Sequence, residues 1–168
     1  MAFSKAIDKA TVPGFNKKGQ TFLEDTRDYF IRNRDFMTKE VNEMKLPIKA
    51  VNVEGGYFLM VDITECHDMI PARYTTQHEY EDPGDKKPVN KYHLFKRDGT
   101  IPKDLAFCRW MAHEHGIAMM PISFFYTPDS PNMTDNYARM AICKNYDDTV
   151  KCINRLKALR IERPRAKL

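Results

Sequence analysis

The sequence predicts an α+β domain in which a long helix precedes a small mixed sheet, and further helices cover that sheet on one face. Apolar residues first recur at helical spacing between positions 21 and 45. Short segments rich in valine, isoleucine, tyrosine and phenylalanine then alternate with two shorter helical stretches. Strands mixed with helices of these lengths favour a single sheet, and the length of 168 residues suits one domain.

The first helix is predicted over residues 21–45. Thr21 and Glu24 have the spacing of a capping box, in which each side chain satisfies a free backbone N–H group at the helix start. Pro47 ends the helix because proline cannot continue the hydrogen-bond ladder. Five apolar side chains at helical spacing share one face: Phe22, Phe30, Met37, Val41 and Met44.

Two strands are predicted next, at residues 48–53 and 57–63, with Gly55-Gly56 between them. Residues 66–100 are polar and show no sustained period. We therefore predict a long surface loop or insertion, with room for one short strand at 92–96.

The second half of the chain is predicted to begin with a helix that Thr100 caps at its N-terminus and Gly116 caps at its C-terminus. A stripe of Leu105, Cys108 and Ala112 is its predicted buried face. Strands at 117–122 and 137–143 follow, and a last helix starts at Asp147 and turns Val150, Ile153 and Leu156 inward. The predicted divisions of the chain are an N-terminal arm at 1–19, a domain at 20–160 and a basic tail at 161–168.

Composition and spacing argue against several classes of function. The 27 basic and 23 acidic residues, a net charge of +4, are interspersed as on a solvated surface, so no nucleic-acid site is predicted. Four cysteines without a Cys-x-x-Cys pair form neither a zinc ribbon nor a redox motif, and suit a reducing compartment. His113-Glu114-His115 places its histidines on different helix faces, so no metal site is predicted. No apolar run is long enough to span a bilayer.

Arg139 is the residue with the clearest functional potential, because it lies at the centre of an otherwise apolar strand-like run. One interpretation is structural: the stem packs, and the charged head reaches solvent or pairs with a carboxylate. The other is functional: the planar guanidinium grips a substrate carboxylate with two parallel hydrogen bonds, which lysine cannot do as well. The residues themselves leave both interpretations open.

Four motifs in this order resemble the C-terminal small domain of fold-type I pyridoxal-phosphate aminotransferases, of the kynurenine–oxoglutarate transaminase and cysteine-S-conjugate β-lyase type. The similarity extends from about residue 21 to about residue 159, and corresponds to the final third of such an enzyme. The motifs are Gly55-Gly-Tyr-Phe-Leu-Met-Val-Asp-Ile63, Phe107-Cys-Arg-Trp-Met111, Gly116-Ile117 followed by Pro121-Ile-Ser-Phe-Phe-Tyr126, and Tyr137-Ala-Arg139.

The resemblance implies that Arg139 binds the α-carboxylate of an amino acid. It places four further residues at the substrate pocket: Gly56, Tyr57, Phe125 and Tyr126. In that family a lysine of an upstream large domain holds the cofactor, and nothing in this sequence resembles its surroundings. The resemblance therefore implies that this chain alone binds no cofactor and contributes no catalytic residue.

Two functions follow from the resemblance. The first is a truncated, non-catalytic structural or accessory subunit of a larger assembly, for instance in the mitochondrion. The alternative is part of an active kynurenine-type aminotransferase whose large domain another chain supplies, with Arg139 binding an aromatic or sulfur-containing amino acid.

Other protein subunits are the predicted partners, since the surface that faces the large domain in the family needs a cover. The predicted contact surface comprises the helix face of Phe22, Phe30 and Met37 and the loop of Phe124, Phe125 and Tyr126. The compartment stays open between mitochondrion and cytoplasm, and the final Ala166-Lys167-Leu168 resembles a peroxisomal address of the Ser-Lys-Leu type.

Overall fold

The computed structural model describes residues 21–76, 96, 98–127 and 129–159. These residues form three α-helices and one sheet of four strands. In chain order the elements are α1 (Phe22–Glu43), β1 (Lys49–Ala50), β2 (Phe58–Asp62), α2 (Lys103–His115), β3 (Met120–Pro121), β4 (Tyr137–Ala141) and α3 (Tyr146–Ala158).

Helix α1 starts with the predicted capping box. The Thr21 hydroxyl oxygen accepts a hydrogen bond from the Glu24 N–H group at 3.3 Å, and the Thr21 N–H group donates to the Glu24 carboxylate at 2.9 Å. Because each side chain satisfies the other's backbone donor, this short pattern determines the helix start without help from distant residues. The helix ends at Glu43, before Pro47.

The sheet confirms the predicted α+β class, but its pairings are all antiparallel rather than mixed. Its strand order is β1-β2-β4-β3, with β2 and β4 at the centre. The outer strands have two residues each and are shorter than predicted. Pro121 of β3 has no N–H group to continue a ladder.

The predicted cap of helix α2 is wrong. The hydroxyl and N–H groups of Thr100 both donate to the Asp98 carboxylate, at 2.6 and 2.9 Å, in a tight local turn. Pro102 instead precedes the helix, and the Asp135 carboxylate accepts a hydrogen bond from the Lys103 N–H group at 2.8 Å. The cap therefore comes from a residue far along the chain.

The other end of helix α2 is as predicted. Gly116 adopts a φ of +64°, and its N–H group donates to the Ala112 carbonyl at 3.2 Å. A left-handed backbone is strained for other residues, so glycine suits this position. Leu105 and Cys108 are buried as predicted, whereas Ala112 is exposed and does not belong to the buried stripe.

One hydrophobic core lies between the helices and one face of the sheet. The strand residues alternate between buried and half-buried, so the sheet turns one face to the core. Helix α3, which Asn145 caps, buries Ile153 and Leu156 completely and Val150 only in part. The largest fully buried side chains include Phe107, Met37, Leu59, Ile63 and Met111.

Several predicted segments lie outside the described residues: the arm at 1–19, nearly all of the strand at 92–96 and the tail at 161–168 with its final tripeptide. Within the predicted loop at 66–100, the described part contains two short 3₁₀ helices, Thr64–Met69 and Ala72–Thr75. They bury Cys66 and Tyr74 against the core, so this part of the loop is packed rather than irregular.

Candidate functional site

Arg139 lies at the middle of β4, in the centre of the sheet. It is directly opposite Met60 of β2 and Met120 of β3. Residues opposite each other in antiparallel strands point to the same face, so both methionines flank the arginine. Phe58 is two residues from Met60 and shares this face. We call this set of Phe58, Met60, Met120 and Arg139 the open face, because the core lies on the other side of the sheet.

The Arg139 guanidinium contacts two aromatic rings. Its central carbon lies 4.0 Å from the ring centroid of Phe58 and 4.3 Å from that of Phe125. Both distances are well inside the range of cation–π attraction, which extends to about 6 Å. Contact with ring faces uses none of the five N–H donors of arginine. The rings therefore hold the cation in place and leave its hydrogen-bonding capacity intact.

Within the part of the chain that the structure describes, Arg139 makes no ion pair and donates no side-chain hydrogen bond. The structural interpretation of pairing with an internal carboxylate thus finds no support there. A half-buried guanidinium among apolar side chains gains most from an anionic partner, since carboxylates form two short, charge-assisted bonds with arginine. The guanidinium of the open face thus has the hydrogen-bonding chemistry that suits a carboxylate.

The second ring comes from a 3₁₀ helix, Ile122–Phe125, that follows β3 directly. The Ser123 N–H group donates to the Asp104 carboxylate at 2.7 Å, and the Tyr126 N–H group donates to the Ser123 carbonyl at 3.1 Å. Of the two predicted loop residues, Phe125 thus contacts Arg139, while Tyr126 closes the turn that presents it.

Gly56 and Tyr57 belong to a different part of the surface. They line an open, mostly apolar cavity of about 470 Å³ together with Leu23 and Phe30 of α1, and Arg27, Arg34 and Glu54 line it as well. The Tyr57 ring packs edge-on against Phe30, with 5.5 Å between centroids. Gly56 has a φ of +92°, which lets the chain turn into β2. The structure thus brings Phe125 to Arg139 but places Gly56 and Tyr57 against helix α1.

Sequence reasoning missed three residues of the open face: Phe58, Met60 and Met120. Phe58 and Met60 occur within a recognised motif, but the motif does not show that they flank Arg139. That proximity depends on the register between β2 and β4, which pairs Met60 with Arg139. Alternation along each strand would have found these residues only if the register had been known.

The described helices do not fit the phosphate of a pyridoxal-phosphate cofactor. A phosphate binds readily at a helix N-terminus with free N–H groups, but each first turn here already carries acidic side chains. They are Glu24 and Asp25 in α1, Asp104 in α2, and Asp147 and Asp148 in α3. The four residues of the open face also include no lysine. Neither the first turns of these helices nor the open face therefore provides a phosphate site for this cofactor.

The described residues contain no metal-binding group, and two of the cysteines are buried core residues. No group of three histidine, cysteine or acidic side chains in this part of the chain could hold a metal ion. Glu114, the centre of the His-Glu-His sequence, pairs with Arg73 at 2.6 Å. Burial raises the pKa of Cys66 to about 12 and raises that of Cys108 as well. Both thiols therefore stay protonated at neutral pH, and both pack as core residues.

The predicted partner surface needs one correction. Met37 is 1% exposed and belongs to the core, because α1 packs this position against the sheet and α3. Phe30 is half-buried against the core, and Leu23 is 54% exposed beside it. In the predicted loop, Phe124 and Phe125 are 46% and 58% exposed. No helix among the described residues is long and apolar enough to cross a membrane.

Comparison with known proteins gives one matching family and several distant relatives. The family model described as aminotransferase class I and II matches residues 1–146. The Saccharomyces cerevisiae protein named "Probable kynurenine--oxoglutarate transaminase BNA3" is 26% identical over 139 residues, 83% of this chain and 26% of that protein. The methionine aminotransferase of Escherichia coli is 24% identical over 132 residues, 79% of this chain and 24% of that enzyme.

These relatives are much longer than the matched region, so the chain spans about a quarter of their length. The crystal structure of Bna3p from Saccharomyces cerevisiae superposes with a TM-score of 0.55 at 24% identity, and covers 81% of this chain and 27% of that one. This similarity confirms the fold of the matched region.

Proposed function

Since the chain belongs to the aminotransferase class I and II family, we propose that it forms the part of such an enzyme that anchors the carboxylate of an amino acid. Arg139 is the anchoring residue. One observation carries the proposal: the guanidinium lies over Phe58 and Phe125 and is paired with no other described residue. Arginine is the side chain best suited to hold a carboxylate by two parallel bonds.

The surroundings of Arg139 favour an amino acid with an aromatic or sulfur-containing side chain. Phe58, Met60, Met120 and Phe125 supply aromatic and thioether groups next to the guanidinium. Methionine sulfur makes favourable contacts with aromatic rings, and aromatic rings stack on each other. The names of two relatives, a kynurenine–oxoglutarate transaminase and a methionine aminotransferase, agree with this choice.

The contribution of this chain to catalysis is substrate binding and orientation. In the family, pyridoxal phosphate supplies the electron sink for the reaction. The role of Arg139 is to fix one end of the amino acid, and the apolar side chains of the open face offer a surface for its side chain. Holding a substrate in one orientation lowers the entropic part of a reaction barrier.

Isothermal titration tests this proposal from the ligand side. We expect the protein to bind kynurenine, phenylalanine or methionine, and to lose this binding when the corresponding amine without a carboxylate is titrated instead. The reason is that the amine keeps the apolar side chain but has no carboxylate to accept hydrogen bonds from the Arg139 guanidinium. Equal binding of the acid and the amine would contradict a carboxylate anchor.

The same titration separates the two functions considered from the sequence. An accessory, non-catalytic subunit has no need to hold an amino acid, so no heat of binding is expected for any of the three. Measurable, carboxylate-dependent binding favours the enzyme-forming role. Until that measurement, the accessory role and the presence of this chain in a larger assembly stay predictions.

We also propose that a second copy of this chain covers the mostly apolar cavity beside helix α1. Leu23, Ile31 and Tyr57 are 54%, 39% and 61% exposed there. Leu23→Asp is expected to shift the protein towards the monomer in light-scattering measurements, because it places a charge in an apolar contact. The substitution suits the fold, since an acidic residue in a first turn is favourable to the helix.

Ala112→Asp on the exposed side of α2 is the matched control, since it adds the same charge elsewhere. The control should leave the solution mass unchanged. A wild-type protein that is monomeric at every concentration, or an equal change in both variants, would show that this cavity is not a self-association surface.

A further inference from the structure

Asp104 is a buried acid that carboxylate binding at Arg139 does not by itself require. It lies in the first turn of α2 and is 0% exposed. Its burial raises the pKa of the carboxyl group, although hydrogen bonds from Ser123 and Leu105 oppose that effect. Burying an acid is costly unless hydrogen bonds satisfy it. The hydrogen-bond partners of this side chain therefore decide what its burial achieves.

Each carboxylate oxygen of Asp104 accepts one backbone hydrogen bond. One oxygen accepts from the Leu105 N–H group at 2.8 Å, within the same helix turn. The other accepts from the Ser123 N–H group at 2.7 Å, 19 residues along the chain. The acid thus joins the start of α2 to the 3₁₀ helix that follows β3. Both bonds are buried, where water cannot replace them.

The position of Phe125 depends on this connection, together with the Tyr126 N–H to Ser123 carbonyl bond that closes the same turn. The residue is 58% exposed, so its ring has few packing contacts of its own. It lies two residues beyond Ser123, in the same 3₁₀ helix, and its ring centroid is 4.3 Å from the Arg139 guanidinium. Release of the Ser123 N–H group would free the turn that carries the ring.

We propose that Asp104 is a positioning residue for the carboxylate anchor: through its bond to the Ser123 N–H group it keeps Phe125 over the Arg139 guanidinium. This inference rests on the proposed function, since it assigns the anchor a support that touches no substrate. The contact sequence runs from Asp104 to Ser123, Phe125 and Arg139.

The test is the NMR signal of the Arg139 Nε–Hε group in the ligand-free protein. The rings of Phe58 and Phe125 shift this proton resonance upfield. In Asp104→Asn only one oxygen remains for the two backbone donors, and a neutral amide oxygen is a weaker acceptor than a carboxylate, so the Ser123 bond weakens in either orientation of the amide. We expect the Arg139 resonance to move part of the way towards its unstacked position, because Phe125 leaves while Phe58 stays in contact, and the Ser123 amide to lose its slow hydrogen exchange.

Asp135→Asn is the matched control, because Asp135 also accepts a backbone bond at the start of α2, from Lys103. It has no bond to Ser123, so the Arg139 resonance should stay in place even if the helix loses stability. An equal shift in both variants would show that Asp104 only stabilises the start of α2 and has no specific effect on Arg139. An unchanged Arg139 signal in a folded Asp104→Asn protein would also overturn the proposal.

If Asp104→Asn does not fold, the wild-type protein allows a second measurement. The Asp104 carboxyl carbon and the Arg139 proton are followed by NMR while the pH is lowered, and one shared midpoint is expected. The titratable neighbours of Asp104 are Asp135 and Cys108. Hydrogen bonds from Lys96 and Lys103 outweigh burial and lower the pKa of Asp135, while burial raises that of the Cys108 thiol. Neither should share the midpoint, and an Arg139 midpoint that follows Asp135 would refute the proposal.

Amino-acid titration of the same proteins keeps this inference separate from the proposed function. An Arg139 signal that responds to Asp104 in a protein that binds no amino acid would refute the carboxylate anchor and leave the positioning intact. If Asp104→Asn binds the amino acid at Arg139 with unchanged affinity, the carboxylate anchor is supported and the positioning role of Asp104 is refuted.

Discussion

Replacing Met37 by alanine is expected to lower the free energy of unfolding by about 2–5 kcal/mol, the range for methionine-to-alanine changes in cores. Met37 is 1% exposed and packs in the single core, so the lost methylene and thioether groups leave a cavity. The sequence suggested instead that Met37 faces a partner chain, in which case the isolated protein would lose little stability. Urea unfolding followed by circular dichroism distinguishes the two.

Leu23→Ala provides the control on the same helix. Leu23 is 54% exposed, and alanine and leucine both favour helices, so a change within about 0.5 kcal/mol is expected. A cost for Leu23→Ala as large as that for Met37→Ala would mean that α1 is packed differently from the structure described above. A loss of less than about 1 kcal/mol for Met37→Ala would restore the partner-facing interpretation.

Local signals in the sequence predicted the ends of elements well, and distant contacts explain the failures. Thr21 and Glu24 satisfy each other within one turn, and the structure has the capping box at that position. Gly116 ends α2 for a similarly local reason. The N-terminus of α2 was misjudged because Asp98 takes the hydroxyl of Thr100, and Asp135 supplies the cap from another part of the chain. No pattern near position 100 carries that information.

The helical period of α1 identified an apolar face but not what covers it. Phe30 and Met37 both belong to that face, yet Met37 lies in the core and Phe30 at its edge. Spacing alone treats the two alike, because it does not show which part of the helix face the sheet and α3 cover. The same limit applies to the candidate site. Arg139 stood out in its strand, but the rings around it come from Phe58 and Phe125, which only the sheet register and the turn after β3 bring together.

Arg139 is supported from two independent directions, which favours a functional role over a packed surface arginine. Phe58 reaches it from the neighbouring strand, and Phe125 reaches it from a turn that a buried acid holds. A charge that served only solubility would need neither ring. The cost of burying Asp104 is understandable if the position of the guanidinium matters for binding.

Arg139→Gln is therefore expected to weaken amino-acid binding about 10- to 100-fold, because a hydrogen-bonded charge contributes about 1.5–3 kcal/mol and each 1.4 kcal/mol is a factor of ten. Arg139→Lys should fall between this variant and the wild type, since lysine keeps the charge but loses the planar fork. Titration calorimetry with the best-binding amino acid measures both, and urea unfolding should show similar stability for the two. If lysine binds as well as arginine, the two parallel bonds are not what holds the carboxylate. If the glutamine variant binds as well, the amino acid occupies another site, and the open face has no part in its recognition.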